Sequence, residues 1–427
     1  MEKTKVKALG LVLLLLALQT AGAQKPALFA LEGTLRQETE YVYTVTATLD
    51  RGSTLEITLP IPQGWEQPGH RETILALEVE GDPAPNRTWD ETDRWGNIWR
   101  TLRWVRPGGE VAATRHLQVV TETQYGPIFS SSPYPVVKRD LPWDVSQWLW
   151  PTSFVQSNRP EIGKRAAFLT AGCRTELEAV VRILNWVRAN VRYACARELC
   201  EPVLRCDALF TLEKLKGNCV NFANLAMALL RAAGIPARPV HGFVADREKS
   251  SAGHAWISVY FPDLGWMDFE SSNWMPTGRE VPITFLLPQH ISVYRGEGKG
   301  VSRGDFSETH TAQFAITQRP EERTELAAEV PPGSAVAWVI TLRNPDWELR
   351  TFTLHLEGVP EGWYASLSEE QVTIDPDGPA NTWDLLLTVI PPADAVAGEE
   401  ATITVSARSE GKVPGTLTAT VRVRAQS

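Results

Sequence analysis

The sequence has no surplus of basic residues and few long apolar runs. Its 42 lysines and arginines are outnumbered by 51 aspartates and glutamates, which gives a formal net charge of −9 at pH 7. No basic run reverses that balance, so nucleic acid is not expected as a partner. After the first 23 residues no uninterrupted apolar run is long enough to cross a bilayer, so we expect no membrane span in the mature chain. No EF-hand loop is visible, and we predict no calcium dependence, no bound metal and no cofactor.

Cysteine is also scarce, and all five cysteines lie in the middle of the chain. In an exported protein an odd number leaves at least one thiol unpaired if the others form disulfides. Four of them are close enough in sequence to make two bridges, with three pairings open. A zinc site from the same four is the alternative, although their spacing does not match the usual CxxC pairs. These four disulfide candidates are Cys173, Cys195, Cys200 and Cys206.

The N-terminus has the pattern of a secretory signal. Three lysines within the first seven residues precede the apolar run ALGLVLLLLAL, and small residues follow at 21–23. We therefore predict a cleavable signal peptide at residues 1–23, with an uncleaved anchor as the alternative. The expected location is secreted, or periplasmic in the cell envelope.

The two flanks of the chain have the spacing of β-proteins. Residues 24–140 contain short alternating runs such as YVYTVTATL, separated by glycine and proline, and predict an antiparallel β-sandwich. Residues 295–311 are polar and glycine-containing and are interpreted as a linker. Residues 312–427 contain at least five further strand-like runs, which predict an immunoglobulin-like β-sandwich.

The middle segment, residues 141–294, has a different pattern. Apolar residues at helical spacing follow Thr175, which with Glu178 has the form of a capping box. A second helix starts near Cys219 and is predicted to stop at Gly234, because Pro236 cannot continue it. Strand-like runs follow, so two helices and an antiparallel sheet predict an α+β domain.

Cys219 stands apart from the other cysteines because it opens the second helix. Free N–H groups and the helix dipole favour an anion there, which lowers the pKa of a thiol. This position makes Cys219 a candidate nucleophile that still needs a base.

His254 is the candidate base. It begins an alternating strand, and a return strand starts at Trp266 after a turn that ends in Gly265. A three-residue loop pairs even-numbered residues with each other and puts Asp268 and Glu270 on the face of His254. A carboxylate beside an imidazole fixes its tautomer and favours the imidazolium. No other histidine shows a comparable setting.

Three motifs in order, GNCVNFANLAMALLRAAGIPARPVHGF, HAW and GWMDFE, resemble the transglutaminase-like superfamily over about residues 143–282. The flanking strands resemble the appended sandwich domains of its exported bacterial members. The resemblance implies a papain-like α+β core, with Cys219 as nucleophile and His254 as general base and acid. The aspartate of the family falls on Glu270, which we favour as the orienting acid, with Asp268 as the alternative.

The function implied is a thiol enzyme that acts on amide bonds of proteins or peptides through a Cys219 thioester. Peptide hydrolysis, deamidation and transamidation all remain open. The alternative is a catalytically degenerate binding or scaffold protein of the cell envelope or the extracellular space. Contact of the C-terminal domain with a cell surface or a polysaccharide rests on fold analogy alone.

Overall fold

The computed structural model describes residues 27–48, 54–194, 205–244, 252–272, 289–297, 306–346, 348–374, 381–410 and 412–425. The predicted signal peptide lies outside these described residues, as do Cys195, Cys200 and residues 298–305 of the predicted linker. Cys173, one of the four disulfide candidates, is a free buried thiol, so its predicted bridge does not form in this structure. Among the described helices, none is both long enough and apolar enough to cross a membrane.

The helices of the described residues all lie in the middle of the chain, and two of them begin or end as the sequence predicts. The Thr175 hydroxyl accepts the Glu178 N–H at 3.2 Å, and the Glu178 carboxylate accepts the Thr175 N–H at 3.0 Å. Gly234 has the left-handed φ of +85° expected of a residue that ends a helix. The α-helices are α1 (Trp143–Ser146), α2 (Pro160–Leu169), α3 (Glu176–Asn190), α4 (Ala208–Lys214) and α5 (Cys219–Ala232), with 3₁₀ turns at Lys138–Asp140 and Gln147–Leu149.

The N-terminal region is β-structure. One antiparallel ladder runs in the order β1-β7-β4-β3, and a second sheet has the order β2-β6-β5. Apolar side chains of both sheets, among them Val45, Ile57, Leu102 and Val111, share one buried cluster. The strands are β1 (Leu28–Thr48), β2 (Thr54–Ile61), β3 (Trp65–Gln67), β4 (His70–Asp82), β5 (Arg87–Thr92), β6 (Ile98–Val105), β7 (Glu110–Tyr125) and β8 (Ile128–Phe129).

The central region adds a four-stranded antiparallel sheet in the order β13-β12-β11-β14. Gly265 has a φ of +77°, and the hairpin pairs Tyr260 with Trp266 and Ser258 with Asp268, as the predicted turn requires. A short parallel pair, β9 with β10, precedes α5. The strands are β9 (Arg192–Tyr193), β10 (Lys216–Gly217), β11 (Ala237–Val244), β12 (Ala252–Phe261), β13 (Gly265–Phe269) and β14 (His290–Arg295).

The C-terminal region is also β-structure, with a five-stranded sheet in the order β17-β24-β23-β19-β21. It shares a buried apolar cluster with a second layer formed by β18, β20 and β22. The strands are β15 (Phe306–Gln318), β16 (Glu321–Arg323), β17 (Glu325–Val330), β18 (Val336–Arg343), β19 (Arg350–Glu357), β20 (Tyr364–Leu367), β21 (Gln371–Ile374), β22 (Thr382–Ile390), β23 (Glu400–Ser409) and β24 (Lys412–Val423).

The boundaries between these regions differ from the predicted ones because β1 is shared. Its first residues, Leu28–Ala30, pair with β18, whereas residues 33–48 pair with β7. Residues 306–311, which we interpreted as linker, belong to β15, and β15 pairs with β1 rather than opening the C-terminal region. A polar composition suits a solvated strand as well as a loop, so it misplaced this boundary.

The largest apolar cluster surrounds α5. Phe222, Leu225, Ala226 and Leu229 recur at helical spacing on α5, are each 0% exposed and pack in one core. The same cluster includes β1 residues and C-terminal residues such as Val339. The helix that carries Cys219 is therefore fixed by packing from several parts of the chain.

Candidate active site

Cys219 is the first residue of α5, and two asparagines organise that helix end. The Asn218 side chain accepts the N–H groups of Val220 at 3.1 Å and Asn221 at 3.4 Å. The Asn221 side chain accepts the Asn218 N–H at 3.2 Å and so completes a capping box. The thiol is 9% exposed and lies at the positive end of the helix.

Gly217 lets the chain approach this helix end closely. A Cβ at position 217 would lie 2.3 Å from the Asn221 Cβ, so a side chain there would clash. Gly217 also ends β10, which runs beside Arg192–Tyr193 of β9. The close approach therefore places Tyr193 next to Cys219.

His254, on β12, faces the Cys219 thiol. The two side chains are hydrogen-bonded, and the Ala255 N–H also donates to the Cys219 sulfur. His254 is 4% exposed, and its Nε2 donates to Glu270 Oε2 at 2.6 Å. Since Nε2 is used by the carboxylate, Nδ1 is the nitrogen left for sulfur.

The two acids considered from sequence have different partners. Glu270 meets His254, and its other oxygen, Oε1, accepts the Ser272 N–H at 2.6 Å. Asp268 instead accepts Arg295 Nη1 at 2.9 Å on both oxygens. The structure therefore brings Cys219, His254 and Glu270 together and leaves Asp268 in a separate buried ion pair.

The pKa values of the three groups support a thiolate–imidazolium pair. Burial raises the pKa of the Cys219 thiol, but His254 and the Ala255 N–H outweigh burial and hold it below its ordinary value. Burial lowers the pKa of His254, but Glu270 and Cys219 raise it to about 10. Burial also raises the pKa of Glu270, but the imidazoles beside it hold that pKa well below its usual range.

His290 is a site residue that sequence reasoning missed. Its Nε2 donates to Glu270 Oε2 at 2.8 Å, so one carboxylate oxygen accepts from two buried imidazoles. The expectation that no other histidine has a setting like that of His254 was wrong. The available signal was the alternation of His290, Ser292 and Tyr294, which is typical of a strand. The partner of that strand could not be read from the local pattern.

His254, Glu270 and His290 also present three metal-ligand atoms within 4.8 Å of one another. A tetrahedral zinc ion holds two ligands at about 2.0–2.1 Å each and so separates them by about 3.3 Å. The Nε2–Oε2 separations of 2.6 and 2.8 Å are shorter than that. The geometry therefore fits protons shared with a carboxylate better than a metal ion.

Tyr193 is a second contact that the sequence did not reveal. Its hydroxyl is hydrogen-bonded to the Cys219 backbone N–H and to the thiol. Burial, followed by the charge of Cys219, raises the pKa of Tyr193, so it is a neutral hydroxyl at physiological pH. A neutral hydroxyl both donates and accepts hydrogen bonds.

A cavity of about 480 Å³ lies over the thiol and the imidazole, and Cys219 and His254 are part of its wall. Aromatic side chains from the N-terminal strands and from the four-stranded central sheet line this cavity, including Tyr43, Trp99 and Tyr294. The rings of Trp99 and Tyr294 lie 5.1 Å apart. The volume is within the range of small-ligand pockets, so the reacting groups face a formed cleft.

Comparisons with known proteins match the part of the chain that carries this site. A model described as "Transglutaminase-like superfamily" matches residues 164–271. An uncharacterised protein of Mycobacterium leprae is 27% identical over 233 residues, which cover 52% of this chain and 76% of that protein. The uncharacterised protein YebA of Bacillus subtilis is 38% identical over 74 residues, which cover 14% of this chain and 10% of YebA.

A solved structure, described as a candidate cysteine protease of Cytophaga hutchinsonii, shares the fold. Its TM-score is 0.50 at 19% identity, and the alignment covers 68% of this chain and 93% of that one. The multidomain, β-rich architecture with a transglutaminase-like core is therefore confirmed. Residues 164–271, which include Cys219, His254 and Glu270, are therefore similar to the transglutaminase-like superfamily.

Proposed function

We propose that this chain is an exported thiol enzyme that acts on amide bonds of proteins or peptides through a thioester on Cys219. One observation carries the proposal: the buried contact of Cys219 with His254 and of His254 with Glu270. A thiol paired with an imidazole that is oriented by a carboxylate has the parts that acyl transfer requires.

The first half of the reaction forms the thioester. The Cys219 thiolate attacks the carbonyl carbon, and the carbonyl π electrons move to oxygen. As the tetrahedral intermediate collapses, the His254 imidazolium gives its proton to the leaving nitrogen, and the C–N bond breaks. The Glu270 carboxylate keeps His254 in the productive orientation and stabilises its charged form.

The second half transfers the acyl group. His254, now neutral, takes a proton from water or from an amine, which attacks the thioester and releases the thiolate. Water gives a carboxylic acid, by peptide hydrolysis or by deamidation, and an amine gives a new amide. The choice depends on which acceptor reaches the cleft, so a product analysis must decide it.

The oxyanion contacts follow from Tyr193. In the free protein the Cys219 N–H donates to the Tyr193 hydroxyl. When a substrate binds, its carbonyl oxygen replaces that hydroxyl as the acceptor of the N–H. The hydroxyl then donates to the same oxygen as negative charge develops on it. Tyr193 is therefore the second oxyanion donor of the proposed mechanism.

The location and the flanking domains belong to the same proposal. The signal-like pattern at residues 1–23 supports export to the periplasm or the medium. The C-terminal β-region shares its apolar cluster with β1 and fits an immunoglobulin-like sandwich that acts as an adaptor, with a cell surface or polysaccharide as its contact.

Mass spectrometry of peptides incubated with the protein tests the reaction. Glutamine- and asparagine-containing peptides are offered with and without a primary amine, and cleavage, deamidation and amine incorporation are distinguished by mass. We expect one of these products from the wild type and none from Cys219→Ser. Cys173→Ser is the matched control, because it removes an equally buried thiol outside the site. No product over a broad peptide set, together with an unreactive Cys219, would support the scaffold alternative.

A further inference from the structure

His290 lies on the same face of the four-stranded sheet as His254. Strand β14 pairs with β11 so that His290 lies opposite Val244, and on the other side of β11 Gly242 lies opposite His254. Paired residues, and residues two apart on one strand, share a face of a sheet. His254, Gly242, Val244 and His290 therefore occupy the same face, two strands apart.

Gly242 keeps the space between the two imidazoles open. A Cβ at this position would lie 2.0 Å from the Ile291 carbonyl oxygen and 2.6 Å from the Trp256 ring. Because no side chain intervenes, the rings of His254 and His290 approach to 5.4 Å between centroids, at 61°. The Trp256 ring meets His290 edge-on at 5.2 Å and closes one side of the space.

Glu270 fills that space and is held by donors on both oxygens. Oε1 accepts the Ser272 N–H, and Oε2 accepts His254 at 2.6 Å and His290 at 2.8 Å. The three side chains are each at most 1% exposed. A carboxylate so placed cannot turn away to solvent, and its charge is met by donors on each side.

We propose that His290 is a positioning residue for the reaction proposed above: its Nε2–H holds the Glu270 carboxylate charged and aimed at His254. This inference rests on the proposed function, since it assigns His290 a role in the activation of Cys219. Glu270 has one more rotatable bond than an aspartate, and His290 is the second anchor that offsets the added freedom.

Strand β14, which carries His290, is also held in place by a buried side chain of the N-terminal region. The Glu72 carboxylate, from β4, accepts the Ser292 hydroxyl at 2.7 Å and the Ser292 N–H at 3.1 Å. Arg188 of α3 is close enough for its charge to interact with Glu270. The charged groups around His290 are thus Glu270, His254, Arg188 and, through the strand, Glu72.

The test is the pH dependence of Cys219 alkylation by iodoacetamide, with the modified peptide identified by mass spectrometry. His290→Leu fills the same space but cannot donate, whereas His290→Gln keeps an N–H near Nε2. For His290→Leu we expect the half-maximal pH of labelling to rise by about one unit and the neutral-pH rate to fall several-fold. For His290→Gln we expect a profile close to that of the wild type.

Phe352→Leu is the structural control. Phe352 is 0% exposed in the apolar cluster of the C-terminal region and touches none of the groups around His290 named above. A variant that only loosens packing should lower the melting temperature and leave the labelling profile unchanged. The inference is overturned if His290→Leu behaves like Phe352→Leu.

A second measurement uses the wild-type protein and therefore does not require any variant to fold. Nitrogen-15 NMR should show His290 Nε2 protonated throughout the neutral range, and an unprotonated Nε2 would overturn the inference. The two proposals fail separately. If wild-type Cys219 is labelled with the pH dependence of an ordinary thiol, the proposed enzyme is contradicted. If wild-type Cys219 is labelled at lower pH than an ordinary thiol and His290→Leu does not change that profile, only the role of His290 is contradicted.

Discussion

Cys219 and Cys173 are each 9% exposed, but Cys219 is the first residue of α5, whereas Cys173 precedes the N-cap residue Thr175 of α3. Their chemistry is nevertheless opposite. Burial raises the pKa of Cys173 to about 11, and nearby Arg182 only partly offsets it. The pKa of Cys219 is lowered instead, because His254 and the Ala255 N–H outweigh a similar burial. Equal exposure therefore does not decide whether a thiol is reactive; the hydrogen bonds and the imidazole beside Cys219 do.

Two buried glutamates show the same contrast. Glu270 accepts hydrogen bonds on both oxygens, and its pKa is held below the usual range. Glu176 is 0% exposed, and neither of its oxygens has a hydrogen-bond partner among the described residues. Burial, together with the charge of Asp263, raises the pKa of Glu176 to about 9. Burial thus favours the neutral acid unless donors are built around it.

The largest expected effect is the loss of the nucleophile. Cys219→Ser should reduce turnover by about 10³-fold or more, since a hydroxyl at this position is far less nucleophilic than a thiolate. Cys173→Ser should leave turnover unchanged. The measurement is product formation per folded molecule, and equal loss in both variants would contradict the division of roles.

The second-largest expected effect is that loss of His254 makes the reactivity of the Cys219 thiol similar to that of the Cys173 thiol. In His254→Ala, burial is no longer opposed, so the pKa of Cys219 should rise toward that of Cys173. The thiolate fraction at neutral pH falls steeply, and the higher nucleophilicity of a more basic thiolate offsets part of the loss. The net decrease in iodoacetamide labelling should be about 100-fold. Labelling that stays fast and flat with pH would show that His254 does not activate the thiol.

A third experiment separates the two acids. Glu270→Gln removes the charge that stabilises the His254 imidazolium, so turnover per folded molecule should fall about 100-fold or more. Asp268→Ala leaves the buried Arg295 without its carboxylate, which should lower the free energy of unfolding by about 3–5 kcal/mol. Turnover of the folded Asp268→Ala protein should be largely retained. Steady-state kinetics and denaturant unfolding on both variants measure whether Glu270 acts mainly in turnover and Asp268 mainly in stability.

These contrasts also show what the sequence could predict. The capping box at Thr175, the helix end at Gly234 and the register from Ser258 to Asp268 depend on residues within a few positions of one another. Local periodicity and turn chemistry are enough for such features. The approach of Cys219 to His254 was expected from the motif order of the family.

His290, Tyr193 and the two-sided pairing of β1 could not be predicted in the same way. Each depends on a pairing between distant segments: β14 with β11, β9 with β10, and β1 with β18. The register of such pairs is set by tertiary packing and by single positions such as Gly242, where a side chain would clash. The sequence pattern predicts a strand at each place but not its neighbour.

The smallest expected effect concerns Glu176 and is one of stability. Its pKa is about 9 in the folded chain and near its ordinary value when unfolded, so between about pH 4.5 and 9 the folded state binds the proton more tightly. The free energy of unfolding should therefore decrease as the pH rises through that window. Glu176→Gln should remove the part of the slope that Glu176 contributes, whereas the part from His254, whose pKa is raised to about 10, should remain. The stabilisation by Glu176→Gln should be largest near the upper end of the window. Glu161→Gln, at an exposed glutamate in the first turn of α2, is the control and should leave the slope unchanged. Urea unfolding at a series of pH values measures the slope, and a stability that rises with pH in the wild type but not in Glu176→Gln would mean that Glu176 is charged and paired.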